Sequence, residues 1–384
     1  MLARYRMSRS VESRPLFGLE RVWLVADRLW PPFVNQQVLE GDAAPDAGRW
    51  RAALAALDPA WPAARARLHG ALGAARWVAD GPSPALVEVD GDGWDARGPA
   101  PFLARPLDPF AGPIAEVLLV RGDPPRVVLR THHAAFDGRA AGRWAADLAA
   151  ALDGRPLAGG ALAGPLDVDV APAVPPSPEP PRDRLAPTGA PTSAARETTW
   201  RRVTAPGPAR DVLARALAAL AGAAGTPVRV SIPVDLRGER RDLTGNHTGF
   251  VHLEPPAGEP ARAALDAALA GGAAGGPVHA AHRLRWLPLG LMEAAGRTVA
   301  DDLLARGRCT VSATVSNLGR QPVFAGGGFR AARSFWIPPG GSPLFVTLSG
   351  HAEGIEVCGS APVGLAGEGR LDALLARVAE GFRA

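Results

Sequence analysis

The sequence predicts an α+β protein built as two lobes. Three observations carry that expectation. Helix-period and strand-period patterns occur in both halves of the chain. A proline-rich seam separates the halves. The chain of 384 residues, 47% of them apolar, is long enough to bury more than one core.

In the first half, Pro45 and Asp46 precede Trp50, Leu54 and Leu57 at near-helical spacing and mark a helix start. Ile114 to Val120 and Arg126 to Arg130 read as strands, and the turn residues Gly122 to Pro125 between them predict a hairpin. Trp144, Leu148 and Leu152 follow at helical spacing, and Asp153 and Gly154 close that helix. The seam runs through residues 166–195, where Pro175, Pro176, Pro178, Pro180, Pro181, Pro187 and Pro191 predict an extended linker. It divides the chain into a lobe of 1–165 and a lobe of 196–384. In the second lobe Asp211 to Leu220 reads as an amphipathic helix, and Val228 to Ile232 and Cys309 to Val315 as strands. Leu344 to Leu348 and Ile355 to Val357 read as a strand pair turning at Gly350 to Gly354. A last helix places Leu371, Leu374, Leu375, Val378 and Phe382 on one face.

Composition narrows the function classes. Charged residues make up 21%, the net charge is +4, and every basic residue is Arg. That excess is small for the length, so nucleic-acid binding is not expected. No apolar run is long enough to span a membrane, and the Arg-bearing N-terminus lacks a secretory apolar core. Two cysteines, Cys309 and Cys358, form neither a disulfide framework nor a metal-ligand spacing, and a reducing cytoplasm is the expected location. A chain with two lobes can supply both sides of one site, so a monomer is expected.

One segment carries chemistry. Thr131, His132, His133, Ala134, Ala135, Phe136, Asp137 and Gly138 lie between a strand end and a helix start. Imidazole is the side chain matched to proton transfer near neutral pH, and Gly138 permits a tight turn into the helix. Neighbouring His132 and His133 point different ways as strand residues do. No Asp, Glu or Cys stands at ligand spacing beside them, so no metal is expected.

This segment resembles the HHxxxDG motif of the superfamily that holds peptide-synthetase condensation domains and chloramphenicol acetyltransferases. Two more segments resemble it: Pro233 to Gly238 followed by Gly245 and Asn246, and Val315 to Gly319. Of the three asparagines in the chain, two fall in these matches. The segments lie between residues 131 and 319, and by their order and spacing the resemblance covers most of the chain, from about residue 15 to 384. The resemblance implies two-layer α/β sandwich lobes, like two chloramphenicol acetyltransferase subdomains, joined as a V-shaped pseudo-dimer with a tunnel between them. It implies transfer of an acyl group from acyl-CoA or a phosphopantetheinyl carrier-protein thioester to a small-molecule hydroxyl or amine acceptor. No bound cofactor is implied.

His133 would be the general base and His132 structural. Asp137 would be an ion-pair partner, with Arg237 its candidate, and Gly138 would support the turn or offer its amide. Ser316 and Asn317 are candidates for an oxyanion donor; Asn317 and Gly319 equally suit a plain turn. His247 and His252 read as surface or satisfied histidines. Trp286, Phe335 and Trp336 are open between an acyl pocket and plain core. The arginines of 237–241 and 283–285 read as a solvated face before a phosphate site.

The chain is shorter than a typical condensation domain, lacks the DFGWG segment of the plant-type relatives, and shows no adjoining carrier or adenylation region. The expectation is therefore a free-standing acyltransferase of bacterial secondary metabolism or lipid assembly. Two alternatives share the fold: epimerisation or cyclisation of a carrier-bound substrate, and an inactive docking protein.

Overall fold

A computed structural model describes residues 11–162, 181–207, 210–238, 242–257, 260–270 and 284–382. Two six-stranded sheets dominate it. The first runs in the order β14 (Phe324–Gly326), β15 (Phe329–Ile337), β2 (Val34–Gly41), β7 (Arg126–His132), β6 (Ala115–Arg121) and β5 (Ala85–Asp90). The second runs in the order β11 (Thr248–Leu253), β10 (Val230–Asp235), β13 (Ala313–Arg320), β16 (Phe345–Gly350), β17 (Gly354–Pro362) and β9 (Thr198–Pro206). Two small sheets add β1 (Ser13–Pro15), β3 (Arg67–His69) and β4 (Arg76–Val78), and β8 (Arg184–Leu185) with β12 (Arg308–Cys309).

Helices cover the sheets where their apolar faces demand it. On the first sheet lie α2 (Ala47–Leu57) and α3 (Gly138–Leu152). Asp46 caps α2 by accepting from the Gly48 and Arg49 amides, and Trp50, Ala53, Leu54 and Leu57 form its buried face. The second sheet carries α4 (Val212–Ala224), α5 (Pro260–Ala270) and, at the C-terminus, a helix over Arg370–Glu380. Between them, α1 (Gly18–Leu29) packs on α6 (Leu289–Arg306), and the C-terminal helix is α7. A third apolar cluster joins the sheets: Val38, Leu118, Val128, Phe335 and Ile337 of the first meet Trp200 and Cys358 of the second. No helix among the described residues is long and apolar enough to cross a membrane.

Three expectations are revised. The lobes 1–165 and 196–384 follow the chain but not the sheets, because β14 and β15 cross over and extend the first sheet beside β2. Glycine allows the crossing: a Cβ on Gly41 would lie 2.2 Å from the Phe329 ring, so the ring occupies a side chain's space. The strand expected over Cys309 to Val315 is split into β12 and β13. Ser312 interrupts it, its Oγ accepting from the Arg229 amide at 3.2 Å and its own amide donating to the Arg229 carbonyl. The described part of the linker, 181–195, is tied down rather than free: proline-rich backbone leaves carbonyls unused, and Arg229 donates to Pro181 while Arg370 donates to Thr188 and Ala190. Residues 166–180 of the expected linker lie outside the described residues.

Candidate active site

β7 ends at His132, paired with Val34 of β2, and α3 begins at Gly138. The turn between them carries the two histidines and Asp137. His132 is fully buried. Its Nδ1 accepts from the Ala134 amide at 3.1 Å, which leaves the proton of the neutral ring on Nε2. That nitrogen lies 3.5 Å from Asp27 Oδ2 on α1. Asp27 also accepts from the Phe33 amide at 2.8 Å. Burial alone would raise the Asp27 carboxyl, but His132 and this amide hold it below its ordinary value.

His133 is half-buried. Its amide donates to the Phe33 carbonyl at 3.1 Å, and its ring lies against the stacked pair of Phe33, centroid 5.0 Å away, and Trp23, at 5.6 Å. Nδ1 is enclosed with no partner in hydrogen-bond geometry. Burial pushes the imidazole below its ordinary pKa, with its own carbonyl and Asp137 pulling weakly the other way. The ring is therefore uncharged at neutral pH and able to take a proton.

The residues joining β10 to β11 reach across to this turn. Asn246 Nδ2 donates to the carbonyls of His133 and Ala134, both at 2.7 Å. Arg237 Nη2 lies 2.9 and 2.8 Å from the two oxygens of Asp137 and also donates to the Gly245 carbonyl. Asp137 further accepts from the amides of Ala140 and His247 and the Thr248 hydroxyl. Burial works to raise its carboxyl, yet Arg237 and the Ala140 amide keep it below the usual carboxylate range. Its acceptor capacity is filled by these groups, so it caps α3 and anchors the crossing segment. His247 is buried with Nε2–H donating to the Thr244 carbonyl at 3.1 Å; burial, then Arg237, pushes it down to about 4.

Other candidates stand further apart. Leu318 of β13 comes against Gly138, 3.2 Å from where a Cβ would sit. Ser316 is half-buried two residues before Leu318, and β13 is irregular between Asn317 and Arg320. Asn317 is exposed, its Oδ1 accepts from the Gly319 amide at 3.0 Å, and it lines a cleft with Asp211, Arg262 and Arg320. Phe335 is core and Trp336 donates to Gln321, whereas Trp286 is 62% exposed under the Arg285 guanidinium. His252 is exposed. Residues 239–241 and Arg283 lie outside the described residues, and both cysteines are free and buried.

Sequence reading assigned no role to Asn246 and passed over Trp23, Asp27 and Phe33. A signal was present: Glu20, Trp23 and Asp27 recur at spacings of three and four, which puts two carboxylates and an indole on one stripe of an apolar helix.

No protein-family model and no curated protein matches the chain in sequence. Solved structures do match in fold. The first condensation domain of the calcium-dependent antibiotic synthetase, bound to a substrate analogue, superposes with a TM-score of 0.66 at 20% identity, covering 97% of this chain and 95% of that one. The starter condensation domain of rhizomide synthetase, a double mutant with C8-CoA and Leu-SNAC, gives 0.60 at 16% identity over 97% and 93%. The condensation domain of the Monacolin K polyketide synthase gives 0.58 at 13% identity over 97% of each chain. The fold is that of a condensation domain.

Proposed function

We propose that this protein is an acyltransferase that moves an acyl group from a CoA or carrier-protein thioester to a hydroxyl or amine acceptor, with His133 as general base. The observation that carries this reading is the place of His133: its imidazole is held at the seam where α1, the β7–α3 turn and the segment before β11 meet, and burial there lowers its pKa. The rhizomide neighbour, described with an acyl-CoA and an aminoacyl thioester mimic, supports a thioester donor.

In the proposed step the acceptor oxygen or nitrogen attacks the thioester carbonyl while His133 Nε2 takes its proton. The tetrahedral oxyanion collapses, the carbon–sulfur bond breaks, and the imidazolium returns the proton to the leaving thiolate. The products are an ester or amide and a free thiol, with no acyl-enzyme. Ser316 and the Gly138 amide are the proposed oxyanion donors, since Asn317 is engaged with Gly319. His132, Asp137 and Arg237 are read as support for the turn. The chain is proposed to act as a cytoplasmic monomer.

Thiol release tests the reading. Acyl-CoA and acyl-carrier thioesters would be paired with hydroxyl and amine acceptors. Acceptor-dependent release, reduced about 10²–10⁴-fold in His133→Ala, is expected. Because burial lowers the His133 pKa, activity should persist below pH 6.5 before its acid limb falls away. Undiminished release by a folded His133→Ala protein, or none from any pair, would overturn it.

A further inference from the structure

We infer that Trp23 is a positioning residue for His133: its indole, stacked on the Phe33 ring, forms an aromatic wall that fixes the imidazole plane and shields it from water. The inference rests on the reading of His133 as a base for its activity readout, while its spectroscopic readout needs no activity.

The geometry is specific. Trp23 stacks on Phe33 with centroids 5.3 Å apart and planes at 26°, and both rings contact His133, so the three form a compact triad. From the edge of the second sheet Phe250 closes on Trp23 at 6.2 Å, edge to face. The rotation of α1 that presents Trp23 is set by the carboxylates on its stripe. Glu20 accepts from the Phe17 amide at 3.0 Å, Trp77 Nε1 at 3.1 Å and both terminal nitrogens of Arg14. Asp27 accepts from the Phe33 amide and faces His132. One carboxylate therefore holds each side of Trp23, and Asp27 also fixes the residue that supplies the second ring.

The indole N–H itself is enclosed without a partner. A phenyl ring would avoid that penalty but is narrower and would leave His133 less covered. The titratable and charged groups around His133 are His132 and Asp137 on its own turn, Asp27 and Glu20 on α1, and Arg237 and His247 on the crossing segment. Asp137 favours the imidazolium and His132 opposes it, but the exclusion of water is the larger influence. Removing the indole weakens that influence and leaves every charge in place.

The test uses the full-length protein labelled with ¹³C at histidine Cε1. The His133 signal is assigned from its loss in His133→Gln and followed against pH in the parent, Trp23→Leu and Trp23→Phe proteins. Trp23→Leu is expected to raise the His133 midpoint enough to change the neutral-to-charged ratio about three- to tenfold at pH 6, and to remove the indole's part of the ring-current shift of the signal. Trp23→Phe should move it less in the same direction, and it carries the test if the leucine variant does not fold. Where thiol release is measurable, the acid limb of kcat/KM should move up with the midpoint. A midpoint and ring-current shift unmoved in a folded variant overturn the role of Trp23. A moved midpoint in a protein that releases no thiol sinks the acyltransferase reading and leaves Trp23's role standing.

Discussion

Asp137 is close to His133 in sequence, yet its two oxygens are taken up by Arg237, two backbone amides and the Thr248 hydroxyl. Asp137→Asn would leave the Arg237 charge buried against a neutral amide. A loss of roughly 3–5 kcal/mol is expected, seen as a lower urea midpoint. An asparagine variant as stable as the parent would show that the pair is dispensable. His247 gives a separate pH signature. Its folded pKa, about 4, lies below the 6.5 of the unfolded chain, so the unfolded state binds the extra proton between those values. Stability should therefore fall as pH drops from 6.5 to 4, by up to about 3 kcal/mol. His247→Asn should flatten that stretch of the curve, as measured by urea unfolding across pH. Asp137 acts lower: its carboxyl is depressed, so its contribution is lost only as pH falls beneath the ordinary carboxylate range.

At the scale of elements, two connections decide whether the site exists. The segment between β10 and β11 holds the His132–His133 turn through Asn246, one amide serving two carbonyls. Asn246→Ala should leave the fold intact and lower kcat about tenfold or more, because the His133 ring would no longer be held in register. Unchanged kcat would show that Phe33 and Trp23 suffice. The other connection is the β14–β15 hairpin. Gly41→Ala would push a methyl group into the Phe329 ring, and a cost of about 1–3 kcal/mol is expected in thermal unfolding. Phe329→Leu in the same chain should recover part of it.

At the scale of the molecule, the sheets are coupled by charge as well as by apolar contact. Arg126 pairs with Glu40, Glu40 with Arg202, Arg202 with Glu356, and Glu356 with Arg333, alternating in sign across the two sheets. The Arg202 guanidinium also lies 3.9 Å from the centre of the Phe335 ring on β15. With β15 built into the first sheet from the second half of the chain and these charges paired across the sheets, the sheets should unfold together, giving one calorimetric transition with matching calorimetric and van't Hoff enthalpies. A fragment of residues 1–165 would lack β14 and β15 and expose the β2 edge. It is expected to aggregate; a dispersed NMR spectrum from it would contradict the coupling.

By itself the sequence determined the local elements, among them the turn that carries His132 and His133. Asp46 and Asp137 cap helices by side-chain oxygens that reach only three residues ahead, and the β6–β7 hairpin follows from its own turn residues. Such features depend on neighbours along the chain, so they are readable there. Arg237 could be named there only through the resemblance, and it does lie against Asp137. What only the tertiary structure decided is long-range. Trp23 beside His133, Asp27 beneath His132 and β15 completing the first sheet join residues far apart in sequence. No local propensity encodes those meetings. They arise from the burial of apolar faces, and the resulting exclusion of water sets the charge state of His133.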